Sequence, residues 1–440
     1  MKNFFLTLLI LGTGLISRAQ GNQITFTEYD LDNGLHVILH QDKSVPLVAV
    51  SVMYHVGSKN EQPDRTGFAH FFEHLMFAGS ENIAPGQFAN LVQQAGGDHN
   101  ANTTQDRTFY YEVLPSNQLA LGLWLEAERM RSAKIDKAAV ETQRSVVKEE
   151  KKQRIDNQPY GTIQEKAFAN AFTTHPYRWV PIGSDQYIDQ ATLDEFVDFY
   201  KTYYVPNNAV LSISGDIDLN QARELIQRYF ATITRGTRTI NRPTEQEAPQ
   251  TAEKREIVFD EVQLPAVVQA YHIPKQNSPD FYALSMLTTL LTGGESARLT
   301  KTLVDQQQVA AYVGAIPMEL EDPGLFLTMA VANAGKEPDD LERALDAEIE
   351  RVKKEPISDR EFQKLRNQVE NNFVQQYTTN LGVAEQLANY HLFYNDTNLI
   401  NTELQKYLSV KKEDITRVAN QYLTKENRVV LHYLPRAAQK

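Results

Sequence analysis

The chain contains no cysteine. That excludes a disulfide framework, a thiolate metal site and a cysteine nucleophile. It also lacks any run of Lys and Arg resembling a phosphate-binding stripe, and its formal net charge is −12. Both features argue against a nucleic-acid partner and favour neutral or cationic ligands. No apolar stretch is long enough for a comfortable membrane span. The one at the N-terminus, Phe4 to Ile16, follows Lys2 and precedes Ser17-Arg18-Ala19. This is the layout of a cleavable export signal over residues 1–19. No cysteine follows the cleavage site, so a lipid anchor is not expected. Export without disulfides suits a bacterial periplasm, with secretion as second choice, and the mature chain would have no membrane span.

At 440 residues, 42% apolar and 23% charged, the chain has the balance of a folded protein too long for one simple core. Period-2 patterning predicts strands at Thr25–Leu39 and Leu47–Val56, with a buried strand at Ala209–Ser214. Helical patterning covers Pro85–Ala95, Ser116–Ser132, Asp136–Arg154 and Leu219–Phe230. Residues 235–254 are rich in Thr, Arg, Pro, Glu and Gln and read as an exposed linker. Beyond it come strands over Ile257–Ile273, a helix at Phe281–Leu291 and a strand at Leu325–Val331. A mostly helical stretch follows from Asp339 to Leu423, then a strand at Val429–Leu434. The expected fold class is α+β, with two domains of about 200 residues, 20–234 and 255–440, joined by the linker.

The most informative segment is His70-Phe71-Phe72-Glu73-His74. On a helix an i, i+4 pair of imidazoles lies on one face and can share one metal ion. Glu73 falls about 60° round from His70 and about 100° from His74. This is the ligand-and-base set of the H-E-x-x-H zinc peptidases with the carboxylate moved to the other side. Phe68, Phe71, Phe72 and Leu75 make an apolar face, and His70, Glu73, His74 and Phe77 make the opposite one. Thr66 is the expected N-cap and Gly79 the expected stop.

A catalytic zinc needs a third protein ligand. The Asp136–Arg154 helix offers Glu149 and Glu150. Ala139, Gln143, Val146 and Val147 form a stripe that Glu150 continues, while Glu149 points about 100° away onto a polar face. A carboxylate on an apolar stripe needs compensation, which a metal ion supplies, so Glu150 is the expected ligand. Gln143, two turns earlier, is a candidate to hydrogen-bond the ligand set. The remaining histidines read as structural: His36, His40, His55, His272 and His432 in strands, His391 in a helix, His175 in a loop and His99 as a wall residue.

With Glu150 lying 76 residues beyond His74, the set resembles the inverted zinc motif of the pitrilysin/insulinase family of metallopeptidases. The resemblance extends from Gly57-Ser58 through Gly67–Ser80, then to Gly96-Gly97, Asn100-Ala101, Asp106 and Thr108. It continues at His175-Pro176-Tyr177, Gly183, Tyr204, Pro206, Asn208 and Gly215-Asp216. In the second half, Gly293-Gly294, Arg298-Leu299 and Tyr312 resemble the family's arginine–tyrosine substrate-binding pair. The family often carries glutamate where this chain has Gln143, which puts charge tuning beside the metal in doubt.

The resemblance implies a zinc endopeptidase with one Zn2+ per chain held by His70, His74 and Glu150, and Glu73 as general base. It implies two similar α/β-roll domains making half of a clamshell chamber, as in short two-domain members such as mitochondrial processing peptidase subunits. It further implies that Asn100, Ala101 and Asn102 form an edge strand that pairs with a peptide substrate, aided by Arg298 and Tyr312. The partner would be a second copy or a related chain. Two alternatives follow from the same family: a catalytic subunit active only beside a related chain, and a non-catalytic scaffold subunit.

Overall fold

The computed structural model describes residues 23–436. The export signal expected at 1–19 lies outside the described residues. Among these residues no helix is long and apolar enough to cross a membrane.

The chain opens with a hairpin of β1 (Thr27–Asp30) and β2 (His36–Gln41), where alternation alone predicted one strand from Thr25 to Leu39. The break falls at Asn33-Gly34. Gly34 takes φ +87°, and the Asn33 amide donates to the carbonyls of Phe230 and Ile233, both at 2.9 Å. Then follow β3 (Leu47–Tyr54), α1 (Phe68–Leu75), α2 (Gln87–Gln94), β4 (Asp98–Thr103) and β5 (Thr108–Pro115). Next come α3 (Leu119–Ser132) and α4 (Lys137–Lys151), the latter running into a wider helical turn, Lys152–Asp156. The first half closes with α5 (Ile163–Ala171), α6 (Asp185–Gln190), α7 (Leu193–Tyr203), β6 (Ala209–Gly215) and α8 (Leu219–Phe230).

The second half starts with β7 (Lys254–Asp260), β8 (Ala266–Ile273) and α9 (Pro279–Thr292). A hairpin of β9 (Ala310–Pro317) and β10 (Gly324–Ala332) follows. The helices α10 (Pro338–Lys354), α11 (Asp359–Gln376), α12 (Asn380–Tyr394), α13 (Leu399–Ser409) and α14 (Lys412–Tyr422) lead to β11 (Arg428–Pro435). The pattern of the sequence does not mark β9, because Gly314 and the run of alanines leave no clear alternation.

The α+β fold thus holds two sheets. Their orders are β1-β2-β6-β3-β5-β4 and β7-β11-β8-β10-β9. Apart from β1, the second repeats the first strand for strand. The parallel pair β2·β6 corresponds to β7·β11, and the neighbouring pairs are antiparallel in both. This kinship of topology has no visible counterpart in the sequence.

The halves exchange one helix each. From the second half, α12 lies across β3 and β6, so that Val383, Leu387 and Ala388 pack with Ile38, Met53, Phe109 and Val210. From the first half, α5 lies across β8 and β11, so that Phe168 and Ala171 pack with Val268, Ala270, Leu431 and Tyr433. Each sheet therefore buries one face against its own helices and the other against a helix from the opposite half.

A polar clamp reinforces this join. Lys59, 3% exposed, reaches Asp106 at 2.9 Å and Asp322 at 3.3 Å, and also contacts Glu321. His55 Nε2 meets Glu321 at 2.9 Å. The Tyr177 hydroxyl donates to Asp106 at 2.7 Å and accepts the Asp322 N–H at 3.0 Å. The β9–β10 turn is thereby fixed to the first half. Residues 231–253 carry no helix or strand, yet they are docked. Arg242 donates to the His55 carbonyl at 2.6 Å, and Glu247 accepts the N–H groups of Thr173, Thr174 and His175.

Candidate metal centre

The helix α1 begins at Gly67, which takes φ +96° and offers no side chain to cap the first amides. The cap comes instead from Glu61, whose carboxylate accepts from Gly67 N–H at 2.9 Å and Ala69 N–H at 2.8 Å. Thr66, expected in that role, is not the cap. Glu61 sits outside the usual cap positions, so the local pattern carries no signal for it. Burial raises its pKa to about 8 in spite of these bonds. The close approach also requires glycine at 183, where a Cβ would come within 2.3 Å of Gly67 Cα and N. Replacing Glu61 with alanine would leave two buried amides unpartnered. A loss of about 1–3 kcal/mol of stability is expected, measured by urea unfolding.

One face of α1 anchors it. Phe68 and Phe71 stack on Phe196 with ring centroids 4.7 and 4.6 Å apart, and Phe72 stacks on Phe199 at 5.4 Å. The opposite face presents His70, Glu73 and His74. Facing it is α4, started by Asp136, which accepts the Ala139 N–H at 2.8 Å. Val147 is the buried member of the α4 stripe, and Val140, outside that stripe, is the other buried residue of the helix. Val146, which the periodicity put on that stripe, is 43% exposed. Glu150 lies half-buried on the inner side, three residues after Val147, whereas Glu149 is exposed and bonded by Gln153.

The structure brings His70, His74 and Glu150 together, with one ligand atom from each within 4.8 Å of the others. Glu150 Oε2 lies 2.8 Å from His74 Nε2 and 3.5 Å from His70 Nε2. These separations bracket the edge of a zinc tetrahedron, about 3.3 Å for bonds of about 2.0–2.1 Å. Glu150 Oε2 is buried, and its near neighbours are the two ring nitrogens. A divalent cation fits this donor set, because lone pairs converge there. Arg154, in the turn beyond α4, holds Glu150 Oε1 at 2.8 Å and leaves Oε2 facing the histidines. Burial, followed by neighbouring His74, lowers the His70 pKa to about 4, which keeps the imidazole neutral. Glu150 is held below the usual carboxylate range, chiefly by His74.

Glu73 lies beside this set. Burial raises its pKa, and the Thr103 hydroxyl donates to its Oε2 at 2.6 Å. Thr103 and Arg154 are contacts that reading the sequence missed. The alternation of β4 carries a signal for the first: His99, Ala101 and Thr103 share the half-buried face, while Asp98, Asn100 and Asn102 are exposed. A small cavity of about 210 Å³ is lined by Glu73, His74, Phe77, His99, Asn100 and Ala101. As the terminal strand of its sheet, β4 has an open edge along this cavity.

Gln143 is half-buried and makes no hydrogen bond to His70, His74 or Glu150. Arg298 pairs with Glu361 at 3.1 and 3.3 Å. Tyr312, on the edge strand β9, is 57% exposed. Among the described residues, neither joins the histidine–glutamate cluster by a hydrogen bond or ion pair.

Known proteins resemble this chain over most of its length. Residues 36–178 match the family model described as insulinase, peptidase family M16, and residues 190–369 match the one described as peptidase M16 inactive domain. The chain is 32% identical over 424 residues to the zinc protease PqqE of Helicobacter pylori, covering 94% of each chain. It is 24% identical to a probable mitochondrial-processing peptidase subunit beta of Arabidopsis thaliana, over 89% of this chain and 75% of that one. Among solved structures, a protease from Helicobacter pylori superposes with a TM-score of 0.90 at 31% identity, covering 94% of this chain and all of that one. The periplasmic protease PqqL of Escherichia coli shares the fold, with a TM-score of 0.77 at 20% identity over 95% of this chain and 48% of that one.

Proposed function

The chain belongs to the insulinase family of peptidases, peptidase family M16, and from that premise we propose that it is an exported zinc-dependent endopeptidase acting on peptides or unfolded segments. The observation that carries the reading is the convergence of His70, His74 and Glu150 on one point, with Glu73 alongside. When bound there, zinc supplies a Lewis acid that polarises the scissile carbonyl and acidifies the attacking water.

The chain's own residues do the rest. Glu73 takes the proton of the attacking water and returns it to the leaving amine. Thr103 fixes one oxygen of that carboxylate, so the other is presented to the cleft. The free edge of β4, through Asn100, Ala101 and Asn102, pairs with an extended peptide and sets its carbonyl in place. Gln143 stands where the family often has glutamate and leaves the metal's surroundings less negative.

Residues 20–234 would form the zinc-binding domain, 235–254 the linker and 255–440 the domain that helps bind substrate. Arg298 and Tyr312 act on the peptide bound by a partner, because within this chain neither touches the metal cluster. The partner is a second copy or a related chain, and the two together enclose a chamber. The fold match to half of the PqqL chain supports that pairing. Periplasmic location fits the absence of cysteine and the expected export signal.

Chelation is expected to abolish hydrolysis of a fluorogenic peptide, and added zinc to restore it. Zinc content should fall from about one ion per chain to well below that in Glu150→Ala, and stay unchanged in Glu149→Ala. Loss in Glu149→Ala instead would overturn the ligand assignment. A folded wild-type protein free of zinc and of peptidase activity would favour the scaffold alternative, and activity only beside a related chain would favour the paired-subunit one.

A further inference from the structure

A second cavity, of about 350 Å³, opens where the two halves meet. That is at the lower end of ligand pockets, which span about 300–1,000 Å³. Its walls come from the β4–β5 turn, from α9, α11, α12 and α13, and from the stretch after β9. Most charged groups on the wall are already committed. Arg107 donates to Glu385 at 2.6 Å and to Asn102 at 2.7 Å. Asp106 is held by Lys59 and Tyr177. Glu403 accepts from the hydroxyls of Tyr390 and Tyr282.

Glu319 is the exception. Among the described residues it makes no hydrogen bond and no ion pair, and it is exposed to solvent on the cavity wall. Enclosure by the walls, with Glu403 nearby, raises its pKa to about 7. A second observation is independent of charge. Gln276 lines the same cavity, is 7% exposed, and its side-chain nitrogen has no partner. A buried donor left open in this way calls for an acceptor. The aromatic faces of Phe393 and Tyr394 complete a lining suited to an organic cation.

The cavity therefore offers an unpaired carboxylate and an unpaired amide donor together. A basic residue of a peptide satisfies both, with its ammonium or guanidinium on Glu319 and its backbone carbonyl on Gln276. The position is favourable as well. Thr103 bonds Glu73, and the next residue, Thr104, lines the cavity. Arg107 ties the wall to Asn102 on β4. The cavity wall thus adjoins the end of the β4 strand.

We propose that this interdomain cavity is a specificity subsite for a basic residue of the substrate, bound by Glu319 and Gln276. The proposal rests on the peptidase reading for its substrate, and its test does not need turnover. Labelled peptides that differ only in carrying arginine or its neutral isostere citrulline are titrated into the zinc-loaded full chain with Glu73→Gln, by fluorescence anisotropy. The basic position is moved one residue at a time along the peptide. At one position the arginine peptide should bind about tenfold tighter, and adding Glu319→Gln should remove that preference.

Equal binding of the two peptides at every position, or a preference that survives Glu319→Gln, overturns the assignment. The arginine–citrulline comparison alters no residue of the cavity, so it stands even where the 319 variant folds poorly. Absence of hydrolysis by the unsubstituted chain with the preference intact would defeat the peptidase reading and leave the subsite standing. Hydrolysis without the preference would do the reverse.

Discussion

Replacing Glu73 with glutamine is expected to lower kcat for peptide hydrolysis by about 10²–10⁴-fold, with zinc content unchanged. Glu73 is not among the three groups whose donor atoms converge. Glutamine has nearly the same shape and can still accept from the Thr103 hydroxyl, so the local packing survives. What it cannot do is take a proton. The loss therefore belongs to proton transfer and appears in kcat rather than in metal binding. The measurement is kcat on a fluorogenic peptide beside zinc analysis and circular dichroism of the same sample. Full zinc-dependent activity in this variant would place the base elsewhere, and loss of zinc would make Glu73 a ligand.

Replacing Lys59 with methionine is expected to cost about 3–5 kcal/mol, because it removes the buried ammonium on which one buried and two part-buried carboxylates converge. Lys59 is 3% exposed, and Asp106, Glu321 and Asp322 all meet its ammonium. The response to pH distinguishes this cause from a simple packing defect. In the intact chain the pKa of Glu321 is lowered to about 2, with hydrogen bonds and charge from His55 and Lys59 outweighing its burial. A depressed carboxylate contributes stability that is complete above its unfolded pKa, about 4.3, and is lost as pH falls through about 2. The intact chain should thus lose stability on acidification across that window. In Lys59→Met the remaining carboxylates repel one another, so mild acidification should recover part of the lost stability. Urea unfolding at a series of pH values reads both slopes. A variant within 1 kcal/mol (about) of the parent, with an unchanged acid slope, would show that the clamp contributes little.

Why some of this is legible in the sequence and some is not follows from distance along the chain. The placement of His70 and His74 on one face needs only the period of a helix. The choice of Glu150 over Glu149 needs a period too, although Val146, used to define the stripe, turns outward and is exposed. Glu61 and Thr103 are a different matter. Each acts on α1 from another segment, and nothing local announces a carboxylate that caps a helix from outside the cap positions. The exchange of α5 and α12 is further still from view. Both helices carry ordinary apolar faces, and only the packed molecule shows which sheet each one covers. The edge strand β9 escapes for want of alternation, and Tyr312 had to be singled out by family resemblance alone.

The reciprocal loan of one helix between the two sheets has a mechanical consequence. Cutting the connection at 231–253 would sever the polypeptide but not the molecule, since each half would remain threaded into the other's hydrophobic interior. Neither half carries a complete covering for its own strands, so neither is a self-sufficient folding unit. The protomer should therefore behave as one stiff body, with little gape between its halves.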